Sequence, residues 1–356
     1  MNSPAKPPAP RPGSSANVRR LLGFLGRRRE RLSPLLILTH DFPDPDALAS
    51  AFALQHLAQS AFQVQSHIAY GGELGRAENK MMVRLLQIPL HRMRKTWLKK
   101  YGSIALVDTQ PAFENNPFPG GKHATMVIDQ HGSDTPPQAD LVVVDPDCGA
   151  TCVILAQALL LRREPIPARV ATALAYGILT DTLDLYRAKR PDIVQTYLRV
   201  LEQADMRVLA RIQNPSRPRR FYATLGRGIL EARRFRRVLV SHLGPVGTPD
   251  LVSQVAEFLL ACRGISWCLV TGRYRGRLYA SLRANSPDAE AGEVLRDVFG
   301  NPRQAGGHGS IGGGSCRVGV AATPDTWMER EAALQARLLK RLRIAARTEP
   351  RHPFAR

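Results

Sequence analysis

Four short apolar runs in the first half of the sequence are each followed at once by acidic or imidazole side chains. The run Leu35–Leu38 precedes the segment HDFPDPD at residues 40–46, Ile104–Val107 precedes Asp108, Met126–Ile128 precedes Asp129-Gln130-His131, and Leu141–Val144 precedes Asp145. Carboxylates that lie close together repel one another, and a bound divalent cation removes that repulsion. If the ends of the runs meet in space, the pattern predicts a metal site.

Each of these residues also has an ordinary structural interpretation. Asp46 can cap a helix that begins at Ala47, Asp44 with Pro45 can form a turn, and Asp108 can close a loop. Taken together, carboxylates and imidazole without neighbouring thiols favour Mn²⁺ or Mg²⁺ over structural zinc. Two such ions about 3.5–4 Å apart can activate a water molecule and stabilise the leaving oxygen of a phosphoryl group.

The elements that must position these residues are predicted from hydrophobic periodicity. Helical spacing occurs at Ala47–Gln59, Glu78–Leu86, Thr151–Leu161 and Ala168–Ile178, between the apolar runs, and Val64–Tyr70 is a weaker strand candidate. Alternating strands and helices are typical of an α/β fold with a parallel sheet covered by helices. In such sheets ligands bind beyond the carboxyl ends of the strands, which is where the acidic residues fall.

A second, smaller α/β lobe is predicted downstream. It has strands near residues 238–242, 266–272, 277–283 and 316–321, helices near residues 249–261, 289–299 and 324–346, and a glycine-rich loop at residues 306–314. We therefore expect five regions. They are a basic N-terminal arm (1–31) that is disordered to residue 17, a first lobe (32–190), an Arg-rich helical connector (191–235), the second lobe (236–346) and a basic tail (347–356).

The net charge of +20 is concentrated in three segments. Residues 1–31, 207–237 and 337–356 carry net charges of +7, +9 and +6, and the remainder is nearly neutral. Basic tails are commonly solvated, whereas the internal segment is better placed to face an anionic ligand.

Composition also bears on the cellular setting. No apolar stretch approaches the roughly 18 residues needed to cross a bilayer, and no apolar core of a secretion signal is present near the N-terminus. The five cysteines are odd in number and lack the paired spacing of a zinc site or a disulfide scaffold. We expect a cytoplasmic protein with reduced thiols and no membrane span; its oligomeric state is left open, a homodimer included.

The segment that begins at His40 resembles the opening motif of the DHH phosphoesterase superfamily. His40, Pro43, Asp44, Asp46 and Ala47 match its H-x-x-P-D-x-D-A pattern without a gap. Later motifs follow in the family's order: Asp108 within Leu-Val-Asp-Thr, Asp129-Gln130-His131 at the name-giving Asp-His-His, Asp181 within Leu-Thr-Asp-Thr, and, as in the associated DHHA1 domain, Ser281-Leu282-Arg283 and Gly306-Gly307-His308.

The resemblance implies a role for each matched residue. His40 and Asp44 would hold one metal ion, and Asp46 would serve a second. Asp108 and Asp181 would complete or bridge the pair. The catalytic residues implied are His131, Asp108 and Asp181, and the substrate-binding residues implied are His131, Arg283, Gly306, Gly307 and His308.

Two positions depart from the family pattern. Gln130 stands where the family has a histidine ligand of the second ion, and it offers only a neutral amide oxygen. Ala305 stands where a glycine triplet would begin. If Gln130 is a ligand, we therefore expect the second metal ion to bind with lower affinity.

The resemblance implies hydrolysis of a phosphate ester of a nucleotide or short single-stranded nucleic acid, with water activated by two Mn²⁺ or Mg²⁺ ions. Within the superfamily, a chain of this length most resembles short-oligonucleotide nucleases and adenosine bisphosphate phosphatases. Two alternatives stay open. One is a cyclic-dinucleotide phosphodiesterase with the same core, and the other is a catalytically impaired nucleotide or RNA binder whose affinity comes from the Arg-rich segment.

Overall fold

The computed structural model describes residues 12–133, 135–286, 288–301, 304–345 and 347–354. The chain divides into two compact units, with the division between Pro215 and Ser216. This division falls inside the range 191–235 that the sequence predicts as a connector.

The first unit contains a six-stranded parallel sheet in the order β3-β2-β1-β4-β5-β6. Its strands are β1 (Leu35–Leu38), β2 (Ser66–Tyr70), β3 (Leu90–Arg92), β4 (Ser103–Val107), β5 (Ala124–Asp129) and β6 (Ala139–Val144). The order reverses between β1 and β4, and open parallel sheets bind ligands beyond the strand ends at such a switch point. The predicted parallel α/β architecture is confirmed.

Helices cover one face of this sheet. The helices of the unit are α1 (Pro12–Leu32), α2 (Pro45–Phe62), α3 (Ala77–Leu86), α4 (Trp97–Lys100), α5 (Thr151–Arg162), α6 (Ala168–Asp181), α7 (Pro191–Leu201) and α8 (Met206–Gln213). α1, α2, α5 and α6 share a large apolar core with the sheet. The opposite face carries a smaller cluster that includes Tyr101 and Phe118, so it is covered mainly by loops and α4.

Helix α1 differs from the expected disordered arm. It begins at Pro12, within the part of the arm that the sequence predicts to be disordered, and Leu21 and Leu25 are fully buried. Because these side chains belong to the core of the first unit, tertiary packing stabilises the helix. Residues 1–11 of the expected arm lie outside the described residues.

The second unit has a mixed six-stranded sheet in the order β11-β12-β10-β9-β8-β7, in which only β8 and β9 pair in parallel. Its elements are α9 (Arg219–Leu230), β7 (Arg233–Phe235), β8 (Val238–Pro245), α10 (Asp250–Leu260), β9 (Trp267–Tyr274), β10 (Arg277–Ala284), α11 (Ala291–Phe299), β11 (Ala305–His308), β12 (Ile311–Arg317) and α12 (Pro324–Arg341). Val238 and Val240 pack on one side of β8 and Leu239 on the other, so both faces are buried.

The glycine-rich segment at residues 306–314 is not the loop that the sequence predicts. It forms a hairpin of β11 and β12, whose glycines allow close contact with α11. A Cβ on Gly292 of α11 would lie 2.2 Å from the carbonyl oxygen of Gly307. Part of the expected tail is also paired, because the backbones of Arg351 and Arg234 exchange hydrogen bonds.

Among the described residues, no helix is long and apolar enough to cross a membrane. The five cysteines are free thiols.

Candidate metal centre

Ligand atoms of His40, Asp44 and Asp108 lie within 4.8 Å of one another, beyond the ends of β1 and β4. His40 Nε2 is 3.4 Å from Asp108 Oδ2 and 3.7 Å from Asp44 Oδ1. His40 Nδ1 lies 2.7 Å from the carbonyl oxygen of Asp41, so Nδ1 carries a proton and donates it there. Nε2 therefore faces two carboxylates, an arrangement that a proton or a cation must stabilise.

Local backbone geometry places the two carboxylates. Asp44 is the N-cap of α2, and its Oδ1 accepts the N–H of Ala47 at 3.0 Å. The capping role that the sequence suggested for Asp46 thus belongs to Asp44. Asp108 follows β4 with a φ of 58°, a region that few non-glycine residues adopt, and its buried Oδ1 accepts the hydroxyl of Thr151 at 2.8 Å.

A second cluster joins Asp108 to Asp129 and His131. His131 Nδ1 lies 2.8 Å from Asp129 Oδ1 and 3.7 Å from Asp108 Oδ1. Gln110 Nε2 donates to Asp129 Oδ2 at 2.9 Å and to the carbonyl of His131 at 2.6 Å. Asp129 and Gln110 therefore fix the orientation of the imidazole of His131.

Asp46 is buried against the start of α5. The N–H groups of Thr151 and Cys152 donate to its two carboxylate oxygens at 2.7 and 2.8 Å, and Ser50 Oγ donates at 3.2 Å. Gln130 Nε2 adds a fourth donor at 3.4 Å. Because a carboxylate offers about four lone-pair sites, these donors occupy the acceptor capacity of Asp46. Burial raises the pKa of Asp46 well above its usual value, and nearby carboxylates add to the shift.

The side-chain amide of Gln130 lies between Asp46 and Asp181. Its Nε2 donates to Asp181 Oδ2 as well as to Asp46 Oδ2. The opposite orientation would set the amide oxygen against carboxylate oxygens, so the hydrogen-bond partners favour the NH₂ group at this position. Gln130 thus supplies N–H donors where the family pattern places a metal ligand.

Shifted pKa values indicate a shortage of positive charge at this edge of the sheet. Burial, together with the charges of Asp44 and Asp108, raises the pKa of Asp181 to about 7. Burial lowers the pKa of His40, but hydrogen bonds to Asp108 and Asp44 outweigh it and raise the pKa well above its usual value. For His131 burial is likewise outweighed by hydrogen bonding to its carboxylate partner, and the pKa rises to about 10. A cluster that retains protons in this way is one that a cation can neutralise.

Other predicted residues lie elsewhere. Asp145 follows β6 but is neutralised by Arg190, whose NH1 lies 2.9 Å from Asp145 Oδ2. In the second unit the guanidinium of Arg283 is buried, contacts Glu257 at 3.2 Å and donates to the carbonyls of Leu282 and Gly312.

The glycine motif lies at the edge of the second sheet. Gly306, Gly307 and His308 lie in β11, and Gly307 has a φ of 140° that favours glycine. Packing of the hairpin accounts for Gly307, and a contact between these residues or Arg283 and a phosphate stays a prediction.

Thr151 is a site residue that sequence reasoning missed. Its hydroxyl donates to Asp108 Oδ1 and accepts the N–H of Gln130 at 3.1 Å, while its own N–H donates to Asp46. The available signal was a hydroxyl residue at the start of a helix that directly follows one of the acidic strand ends.

Residues 34–178 match the family model described as DHH family, N-terminal domain. The matched range includes His40, Asp44, Asp46, Asp108 and the segment Asp129-Gln130-His131. This part of the chain is therefore similar to the N-terminal domain of the DHH family.

Two similar proteins extend the comparison. An uncharacterized protein of Methanocaldococcus jannaschii is 33% identical over 324 residues, which is 87% of this chain and 64% of that protein. This chain thus spans less than two thirds of that relative's length. A solved structure, an exopolyphosphatase-related protein of Bacteroides fragilis, has a TM-score of 0.71 at 15% identity, covering 94% of this chain and 100% of that chain. At that identity the likeness concerns the fold.

Proposed function

We propose that the protein is a divalent-metal-dependent phosphoesterase that hydrolyses a phosphate ester of a nucleotide or short single-stranded nucleic acid. The observation that carries the proposal is the convergence of His40 Nε2 with the carboxylates of Asp44 and Asp108 at the switch point of the parallel sheet. The family match over residues 34–178 supports it.

The donor set of His40, Asp44 and Asp108 fits one hard cation. Ligands held octahedrally at about 2.0–2.1 Å from an ion lie roughly 3 Å apart, close to the separations of 3.4 and 3.7 Å. The buried Cys152 is not a competing ligand, because burial raises its pKa well above the usual value and keeps it a thiol. Oxygen and imidazole donors favour Mn²⁺ or Mg²⁺.

The surroundings of Gln130 do not fit a second cation. Asp46 already accepts four hydrogen bonds, and the Gln130 amide bridges Asp46 and Asp181. Carboxylates paired by N–H donors have less need of a metal ion. We therefore propose one cation, held by His40, Asp44 and Asp108, instead of the two that the family resemblance implies, and we assign His131 of the second cluster to the phosphate.

When bound, the cation would neutralise charge on the phosphate and make a coordinated water more acidic. His131, oriented by Asp129 and partly exposed, would bind a phosphate oxygen beside Asp108. Thr151 would keep Asp108 in place through its hydroxyl. The contribution of Arg283, Gly306, Gly307 and His308 is the substrate contact implied by the DHHA1 resemblance.

A nucleotide or RNA binder without turnover is the second candidate. The hydrogen bonds of Gln130 to Asp46 and Asp181 favour this candidate. A centre that lacks the second cation stabilises less of the charge that develops during phosphoryl displacement. Cyclic dinucleotides are the alternative ester substrate, and the fold match to an exopolyphosphatase-related protein makes polyphosphate a useful further test compound.

The test is hydrolysis of dinucleotides, 3′-phosphoadenosine 5′-phosphate, cyclic dinucleotides and polyphosphate, with Mn²⁺ or with a chelator. We expect turnover of a nucleotide ester that requires the metal and falls at least about a hundredfold in Asp108→Asn, the effect of losing one charge-stabilising group. Asp147→Asn is the matched control, because Asp147 and its ion-pair partner Lys189, at 3.1 Å, are both exposed to solvent and exposed ion pairs contribute little to stability. Nucleotide binding without turnover in any metal would replace the phosphoesterase by the binder.

A further inference from the structure

A basic surface borders the loop-covered face of the first sheet. Residues 91–100, HRMRKTWLKK, contain five Lys or Arg side chains and no carboxylate. They lie outside the three basic segments, in the part of the chain whose net charge is nearly zero. All five are exposed, and Lys122 joins them because its Nζ donates to the carbonyl of Leu98 at 2.8 Å. The basic surface is defined as Arg92, Arg94, Lys95, Lys99, Lys100 and Lys122.

These cations are not neutralised within the protein. Among the residues that the structure describes, none of the six lies within ion-pair distance of a carboxylate. Asp140, the carboxylate that pairs with the neighbouring His123 at 2.7 Å, is also approached by Arg28 at 3.8 Å. The positive potential is therefore available to an external polyanion.

Aromatic rings lie among these cations. Ring centroids are 5.6 Å apart for His67 and Tyr101, 5.8 Å for His91 and Trp97, and 5.9 Å for Trp97 and Tyr101. Tyr101 is buried and anchors the group, Trp97 is half-buried, and His67 and His91 are exposed. Unpaired bases stack on such rings while their phosphates contact neighbouring cations.

One end of the surface, Arg92, lies at the same sheet edge as the candidate metal centre, whereas Lys99, Lys100 and Lys122 precede the amino ends of β4 and β5. Arg92 is opposite Tyr70 at the carboxyl end of β2, the strand next to β1, and β1 leads into His40. A strand bound along the surface would thus extend from the edge where the proposed hydrolysis takes place.

We propose that the basic surface and its rings bind single-stranded nucleic acid. A duplex or a polyphosphate would contact the cations but would not use the rings, because only unpaired bases expose their faces for stacking. The proposal does not depend on turnover, since binding is measured in EDTA.

The test is fluorescence anisotropy of a labelled single strand of about ten nucleotides with the full chain, over a range of salt concentrations. We expect Arg94→Gln/Lys95→Gln/Lys99→Gln to weaken binding at least about tenfold and to reduce the slope of log affinity against log salt by about 2. The control Arg19→Gln/Arg27→Gln/Arg29→Gln removes the same charge from exposed positions on α1 and should leave affinity nearly unchanged.

Ring variants separate stacking from charge. Trp97→Ala should weaken binding about tenfold with the salt slope unchanged. His91→Ala should have the same effect on binding, and because His91 is exposed, its melting curve should match that of the wild-type protein. Equal weakening by the α1 control would overturn the proposal. So would ring variants that bind normally, or a duplex, polyphosphate or anionic lipid vesicles that compete as well as the single strand.

Discussion

Asp44 and Asp46 are two residues apart at the start of α2, yet their surroundings give them different chemistry. Asp44 caps the helix through one oxygen and faces His40. Burial raises its pKa, but the hydrogen bond and charge of His40 lower it to about 2, so Asp44 is ionised and suited to bind a cation. Asp46 accepts backbone N–H groups of α5 with both oxygens, which is the environment of a helix-capping carboxylate.

Replacement of Gln130 tests the single-cation proposal. In Gln130→His the two N–H bonds to Asp46 and Asp181 are lost and an imidazole nitrogen becomes available, so we expect bound Mn²⁺ to rise from one to two ions per chain. Ion content after dialysis, by elemental analysis, and titration calorimetry measure this without reference to activity.

The matched control is Gln157→His, because Gln157 also donates to a carboxylate, that of Asp192, but lies on α5 away from the sheet edge. It should leave the ion content at one. Two ions in the wild-type protein would contradict the proposal, and turnover measurements could still support the phosphoesterase.

Two glycines of the hairpin formed by β11 and β12 should differ in how much their replacement by alanine destabilises the protein. Gly307 has a φ of 140°, and a Cβ there would lie 2.1 Å from the carbonyl oxygen of Ile311, whereas a Cβ on Gly306 meets no atom within 4 Å. We therefore expect Gly307→Ala to destabilise the second unit by at least about 1–3 kcal/mol, and Gly306→Ala to be nearly neutral, in thermal or urea unfolding.

Gly306→Ala also separates packing from substrate contact. If it retains stability but loses ester hydrolysis, the substrate role implied for this motif is supported. Stability lost equally in both variants would contradict the packing explanation.

The elements that the sequence predicted well are those with a strong local pattern. Buried runs such as Leu35–Leu38 must be strands in a covered parallel sheet, and their ends placed His40 and Asp108 at one edge. The short edge strand β3 and the glycine-rich hairpin were missed, because both depend on contacts with neighbouring elements instead of on periodicity. The bridge made by Gln130 was likewise out of reach, since side-chain direction decides it.

The division into two units separates the proposed cation ligands from much of the chain. His40, Asp44 and Asp108 all belong to the first unit, as do Gln130 and Asp181. A ligand stabilises the part of a protein that must be folded to bind it, by about 2.7 kcal/mol at a hundred times its dissociation constant. Metal binding should therefore act on the first unit directly.

Hydrogen exchange followed by mass spectrometry measures this. With saturating Mn²⁺ we expect slower exchange in the peptides that carry β1 with the start of α2, the end of β4 and the start of α5, because Asp44, Asp108 and Thr151 hold the centre together. Peptides of α10, α11 and α12 should exchange as before. Asp108→Asn should abolish the difference. Equal protection of both units, or protection that survives in Asp108→Asn, would place the cation somewhere other than at His40, Asp44 and Asp108.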